Sequence, residues 1–181
     1  MRRRALPFAL LLLVSAVAAP GVARQPKRGR TLTGVVRWVT DGDSLIVRPS
    51  NGRELRVRLS GIDAPELRQP FGPEARQFLR RRVWRRRVSL QIRGRDRYRR
   101  VVAVVRLGRL NLNRELVARG YAWCYRRYAR DRELFRLEAL ARRARRGLWR
   151  QRKPTPPWVF RHRQGQTRRS PKRRRRRRRR R

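Results

Sequence analysis

The sequence predicts an α+β fold that is mainly β: a small closed or partly closed barrel of five strands with about three helices. Three observations carry this. Five short runs rich in β-branched and aliphatic residues lie between Thr31 and Leu107. Glycine, proline and short polar clusters separate them. One helical stripe falls between the third and fourth runs, and two more follow the fifth, a spacing that suits a small barrel better than an open sheet.

The elements follow in order. "TLTGVVRWVT" (Thr31 to Thr40) reads as a strand, "DGDS" as a turn with Gly42 free to take positive φ, and "SLIVRP" as a second strand closed by the hairpin turn "SNGR". "ELRVRLSGI" alternates: Leu55, Val57 and Leu59 share one face, Arg56 and Arg58 the other. The loop "DAPELRQPFGP" leads to a helix from Pro73, with Ala75, Phe78, Leu79 and Val83 as its apolar stripe. "VSLQI" and "VVAVVRL" are the last two strands, joined by Arg93 to Arg100. A helix capped by Asn113 over Leu116 and Val117 is expected next. A final helix runs from about Asp131 to Arg146, its acids at the positive end and arginines at the negative end, with Gly147 as the residue that ends it.

The ends read differently. Residues 1–23 pair Arg2 to Arg4 with an apolar run and small residues, the pattern of an export signal, so a secreted or periplasmic protein is expected. The apolar run is short for a bilayer span; membrane contact would arise only through an uncleaved signal. Residues 24–30 read as a linker, 31–150 as the folded domain, and 151–181 as a Pro/Arg-rich basic tail expected to be disordered, ending in nine arginines. Nothing specifies an oligomer, and a monomer is expected.

The formal net charge is +44, from 55 basic and 11 acidic residues, and points to polyanionic partners: nucleic acid, or an anionic envelope surface. Only Lys27, Lys153 and Lys172 are lysines, so base composition of the coding sequence is an equally bland source of the arginines. One cysteine, Cys124, excludes an internal disulfide, and with one histidine, His162, it excludes the usual zinc sites and a Cys–His nucleophile in the core. Cys124 in "YAWCY" reads as a packed residue.

Against that charge, five of the eleven acids (Asp41, Asp43, Glu54, Asp63, Glu66) fall in one short window. Asp43 ends a turn, while Asp63 and Glu66 lie in the loop after the third strand, and neighbouring loops of an antiparallel sheet can meet. A divalent cation is a physical reason for such clustering, because hard cations take oxygen ligands. Arg58 on the same strand and the cluster Arg97 to Arg100 would supply guanidiniums. A metal, two arginines and a spare carboxylate are the parts that phosphodiester hydrolysis needs.

These segments together carry a resemblance. "VTDGDSLIV", "RVRLSGIDAPE", "DRYRRVVAVV", "LNRELVARGYA" and a helix ending "ARRGLW", in this order, are similar to the staphylococcal nuclease (thermonuclease) family from about Thr31 to Trp149. The resemblance implies an OB-type five-stranded barrel with three helices. It also implies Ca2+-dependent hydrolysis of DNA and RNA that leaves 3′-phosphate ends. Position by position it implies Asp43, Asp63 and the backbone carbonyl of Ala64 as metal ligands, Glu66 as general base, and Arg58 and Arg100 as phosphate-stabilising arginines. Asp41 supports the turn. Tyr128 and Tyr125 are nucleic-acid-binding candidates, either stacking on bases or packing against the barrel, and Arg99 is a third. The family's Tyr-Gly-Arg is here Tyr98-Arg99-Arg100, which leaves open which arginine is the catalytic one, and Ser44 and Ala64 stand where threonine is usual.

Three readings follow: an exported sugar-nonspecific endonuclease, a non-catalytic nucleic-acid-binding OB module, and a cationic surface-active protein acting through its tail. A pure binder gains nothing from carboxylates aimed at phosphate, which favours the enzyme.

Overall fold

The computed structural model describes residues 28–50 and 52–165. The export-signal segment and the terminal arginine run lie outside the described residues. Among the described residues no helix is long and apolar enough to cross a membrane.

The barrel has five main strands: β1 (Thr31–Val39), β2 (Ser44–Pro49), β3 (Leu55–Leu59), β5 (Arg87–Arg95) and β6 (Val101–Leu107). They pair antiparallel in the order β3-β2-β1-β5-β6, and a parallel pairing of β3 with β6 closes the cylinder. Inward positions alternate along each strand: Val36, Val47, Val57, Leu90, Ala103 and Val105 are fully buried. Shifts of register at Val36/Trp38 and at Ile92/Gly94 let the sheet curl. The α+β, mainly β OB-type barrel expected from the sequence is the fold observed.

Two-residue strands β4 (Ile62–Asp63) and β8 (Trp123–Cys124) pair with each other, and β7 (Leu110–Asn111) extends the sheet beyond β6. Helix α1 (Gly72–Val83) closes one end of the barrel with Ala75, Leu79 and Val83, all fully buried. Leu79 alone contributes about 2 kcal/mol relative to exposure.

Three local readings need correction. Helix α2 (Leu112–Ala118) is capped by Asn111, whose side chain accepts from the amides of Asn113 and Arg114. Asn113 is buried instead, accepting from the Val105 amide at 3.0 Å and donating to the Ser60 carbonyl at 2.8 Å. It ties the helix to the strands. Helix α3 (Arg132–Arg143) ends with Arg145 in the left-handed region (φ 48), where the Arg146 amide reaches back to the Ala141 carbonyl. Gly147 serves a close backbone crossing: a Cβ there would sit 2.3 Å from the Gly120 carbonyl oxygen. Gly42 is not at positive φ; it is required because a Cβ would lie 2.6 Å from that of Ala64 and 2.8 Å from that of Ala75.

The largest difference is at the C-terminal boundary. The folded structure does not stop at residue 150. A short 3-10 helix, Gly147–Arg150, seats Leu148 and Trp149, and residues 157–165 form a fourth helix, α4. Trp158 on α4 packs edge-on against Trp123 at 5.7 Å. Residues 151–165 are thus part of the domain rather than of a disordered tail.

Candidate active site

The site forms where β2, β3 and the loop after β4 converge. Ser44 pairs with Arg58 in the β2–β3 register, and Arg58 with Val102 in the β3–β6 register. This sets Arg58 beside the start of β2 and two residues from Arg100 across the sheet. The "DGD" turn is held by Asp41, whose carboxylate accepts from the Asp43 amide at 2.9 Å, the supporting role expected for it. Asp43 in turn accepts from the Ala64 amide at 2.7 Å, which locks the first turn to the Asp63 loop. Gly42 lets the two surfaces meet without a side chain between them.

The structure brings Asp43 and Asp63 to one guanidinium. Arg58 pairs with the Asp43 carboxylate through Nη1 and with Asp63 Oδ1 through Nη2 at 2.5 Å. Both acids are buried, Asp63 fully. Glu66 lies at the rim. Its amide donates to Gln69 Oε1 at 2.9 Å, and the Glu66 carbonyl packs so tightly on Gly72 that a Cβ there would meet it at 1.9 Å. The loop carrying the candidate base is therefore fixed at both ends.

Arg100 approaches from the β5–β6 loop. Asp96 grips it through Oδ2 and Nε at 2.7 Å, and its Nη1 reaches Ser44 Oγ at 3.3 Å. Ser44 also donates to Asp43 at 3.1 Å, so a single hydroxyl links Arg100 to the buried acids. Burial pushes the Asp96 carboxyl up, but its bonds to Arg100 outweigh that and hold it below the usual carboxylate range. Arg99 is placed differently from Arg100: it is exposed, sits at φ 62 and contributes its carbonyl to Arg95 Nη1. It does not reach the acids.

The tyrosines form a ledge next to the same loop. β8 pairs Trp123 with Asp63, and the Tyr125 amide donates to the Gly61 carbonyl at 2.9 Å. Tyr128 is exposed and edge-on to Tyr125 at 4.9 Å. The Tyr125 ring is half-buried and lies parallel to Trp158 at 5.4 Å. Cys124 behaves as expected: burial and then the Glu138 carboxylate push its thiol up to about 11, so it is not a nucleophile.

Sequence reasoning missed Arg161. Its Nη2 donates to Asp63 Oδ2 at 2.7 Å and its Nη1 to Glu66 Oε1 at 2.6 Å. Burial works against its charge, but the two carboxylates outweigh that and raise its proton affinity above the ordinary value. The available signal was "PPWVF", an apolar cluster after a helix-starting proline pair, which marks an anchored segment rather than a solvated tail.

Could these residues hold a cation? Among the described residues no group of three or more His, Cys, Asp and Glu converges as a full ligand cage. The donor set is instead two buried carboxylates joined through the Ala64 backbone, with Glu66 at the edge. All are oxygen donors, the class that a hard cation takes, and the Arg58 guanidinium occupies the space between the two aspartates.

A family model described as "Staphylococcal nuclease homologue" matches residues 56–151, more than half of the chain. The chain belongs to the staphylococcal nuclease family. It is 33% identical over 161 residues to an uncharacterised endonuclease of Haemophilus influenzae, covering 89% of this chain and 86% of that one. It is 38% identical over 175 residues to protein ParB of Escherichia coli, with 89% and 94% covered. To a micrococcal nuclease of Shigella flexneri it is 37% identical over 139 residues, with 71% and 79% covered.

Proposed function

We propose that this staphylococcal nuclease family member is an endonuclease that hydrolyses DNA and RNA without sequence preference, using Ca2+ and leaving 3′-phosphate ends. The observation that carries the reading is the meeting of buried Asp43 and Asp63 at Arg58, with Arg100 joined to them through Ser44 and Glu66 at the rim. Relatives that cover most of the chain carry the names endonuclease and micrococcal nuclease, which supports the same reaction class.

Asp43, Asp63 and the Ala64 carbonyl would hold the ion, which supplies Lewis-acid polarisation of a phosphoryl oxygen. Glu66 orients a water and takes its proton as the water oxygen attacks phosphorus. Arg58 and Arg100 neutralise the charge that builds on the non-bridging oxygens. The P–O5′ bond breaks as the P–O bond to water forms; the 5′-oxygen leaves with Arg100 hydrogen-bonded to it and takes a proton from solvent, and the phosphate stays on the 3′ side. Tyr125 and Tyr128 offer a stacking ledge, and all other contacts go to phosphates, which carry no sequence information. The export-signal pattern in residues 1–23 supports action outside the cytoplasm, secreted or periplasmic, where calcium is available.

The test is plasmid cleavage by the mature chain with calcium, with chelator, and by Glu66→Gln. Cutting that needs calcium and falls about 10²- to 10⁴-fold in Glu66→Gln is expected. Tight, salt-sensitive DNA binding with no cutting under any divalent metal would leave the OB-module reading in its place.

A further inference from the structure

The segment after the barrel does not simply trail from it. The Pro156 carbonyl accepts from the amides of Val159 and Phe160, starting α4. Gln69, in the loop that carries Glu66, donates to the Thr155 carbonyl at 3.1 Å. Trp158 lies flat on Tyr125, with an interplanar angle of 5°. Three residues on, on the same helix face, Arg161 meets the site carboxylates.

Each contact falls on a part the proposed reaction needs. Both oxygens of Asp63 accept from guanidiniums, Oδ1 from Arg58 and Oδ2 from Arg161. Glu66, the proposed base, has its Oε1 occupied by Arg161 Nη1 at 2.6 Å, where a water would otherwise be held. Trp158 covers one face of Tyr125, where a base would stack.

We propose that residues 154–165 form an autoinhibitory strap: docked, Arg161 takes Asp63, a ligand assigned to the divalent cation, and Glu66, assigned to the attacking water, so cation binding and strap docking exclude one another. The inference rests on the assignment of these carboxylates to metal and water in the preceding section. Charge explains why the exchange can run both ways. A guanidinium offers one positive charge and directed hydrogen bonds; a divalent ion offers two charges at the same oxygens. Trp158 packs on Tyr125 and Trp123, Gln69 donates to the Thr155 carbonyl, and Arg161 pairs with Asp63 and Glu66, so undocking is a local opening that breaks these contacts together. Because the two events share Asp63, each weakens the other by the same factor.

The experiment is calcium titration of the full chain by calorimetry, with hydrogen exchange of residues 154–165 read in chelator and in saturating calcium. Arg161→Gln is expected to bind calcium at least ~5-fold more tightly than the wild type, the low end of ordinary coupling. Trp158→Ala, which keeps the guanidinium but loosens its anchor, should shift affinity in the same direction. In the wild type, calcium should speed exchange in 154–165; in Arg161→Gln that exchange should be fast already. Equal affinity in all three proteins, with exchange in 154–165 unmoved by calcium, overturns the strap. So does an Arg161→Gln protein that binds calcium like the wild type but cuts more slowly, since Arg161 would then be a phosphate contact. If calcium binds neither the wild type nor Arg161→Gln, the cation assignment itself fails and the inference falls with it.

Discussion

Arg58 is expected to hold two jobs, and Arg58→Gln separates them. In the structure its guanidinium lies between the carboxylates of Asp43 and Asp63, whose side chains are 3% and 0% exposed. Removing one partner of a buried ion pair costs about 3–5 kcal/mol, because the remaining charge stays in a poorly solvated place. The low end applies here. Asp43 keeps the Ser44 hydroxyl and the Ala64 amide, and Asp63 keeps Arg161. A loss of about 3 kcal/mol in a domain of this size lowers Tm by roughly 10–15 °C. The assay is calorimetric melting in chelator and again in excess calcium. Calcium should close most of the gap, because a bound cation replaces the charge that held the two aspartates together. Cleavage should not return with the stability, since the phosphate has lost a guanidinium. A variant that melts like the wild type in chelator would refute the buried-triad argument. A gap that calcium leaves untouched would show that the cation does not bind between these two acids.

Other outcomes follow from the same geometry. Gly42→Ala places a methyl 2.6 Å from the Ala64 Cβ and should cost about 1–3 kcal/mol, together with most of the cleavage, since the Asp43 turn must move off the Asp63 loop; an unchanged urea midpoint would contradict this. Arg99→Gly relieves a side chain at φ 62 and should raise stability by up to about 1 kcal/mol with cleavage unaltered, read by urea denaturation and plasmid assay. Acid should weaken the fold. The Arg114 hydrogen bond holds the Asp131 carboxyl below its ordinary value, and Arg100 does the same for Asp96 against the opposing effect of burial. The unfolded chain therefore binds more protons near pH 4, so the stability these acids supply is present above their unfolded values and is lost as pH falls through the folded ones. Asp131→Asn should melt lower than the wild type at pH 7 and by a smaller margin at pH 3.

Much of the barrel was legible because alternation and turn residues act locally. Val57 and Leu59 point inward and Arg58 outward for the same reason in the chain as in the sheet. The site was legible as a set of residues, through the ordered motifs, but not as a network. That Ser44 would join Arg100 to Asp43 depends on β3 closing in parallel on β6, a long-range pairing that no local pattern encodes. Gly42 was identified as a special position for the wrong reason. A turn glycine and a glycine squeezed between two packed surfaces look alike in one sequence. The C-terminal boundary was misplaced because prolines and arginines outweigh "WVF" in composition, while packing responds to the single tryptophan.

The arrangement of charge resolves the oddity of a chain at +44 that concentrates acids in one place. Elsewhere arginines crowd individual acids: Glu115 meets Arg82 and Arg119, and Glu138 meets Arg126 and Arg142. At the site the balance reverses. Arg100 is already neutralised by Asp96, so the barrel sets one guanidinium, Arg58, against Asp43, Asp63 and Glu66. The result is a small negative well in a positive field. The field draws in a polyanion from any direction and at any sequence. Arg161 occupies this well in the structure; under the reading proposed above a divalent ion would compete for it and leave Glu66 open to hold a water. A uniformly basic surface would bind nucleic acid without cutting it; the reversal at one point is what gives this surface the means to do chemistry.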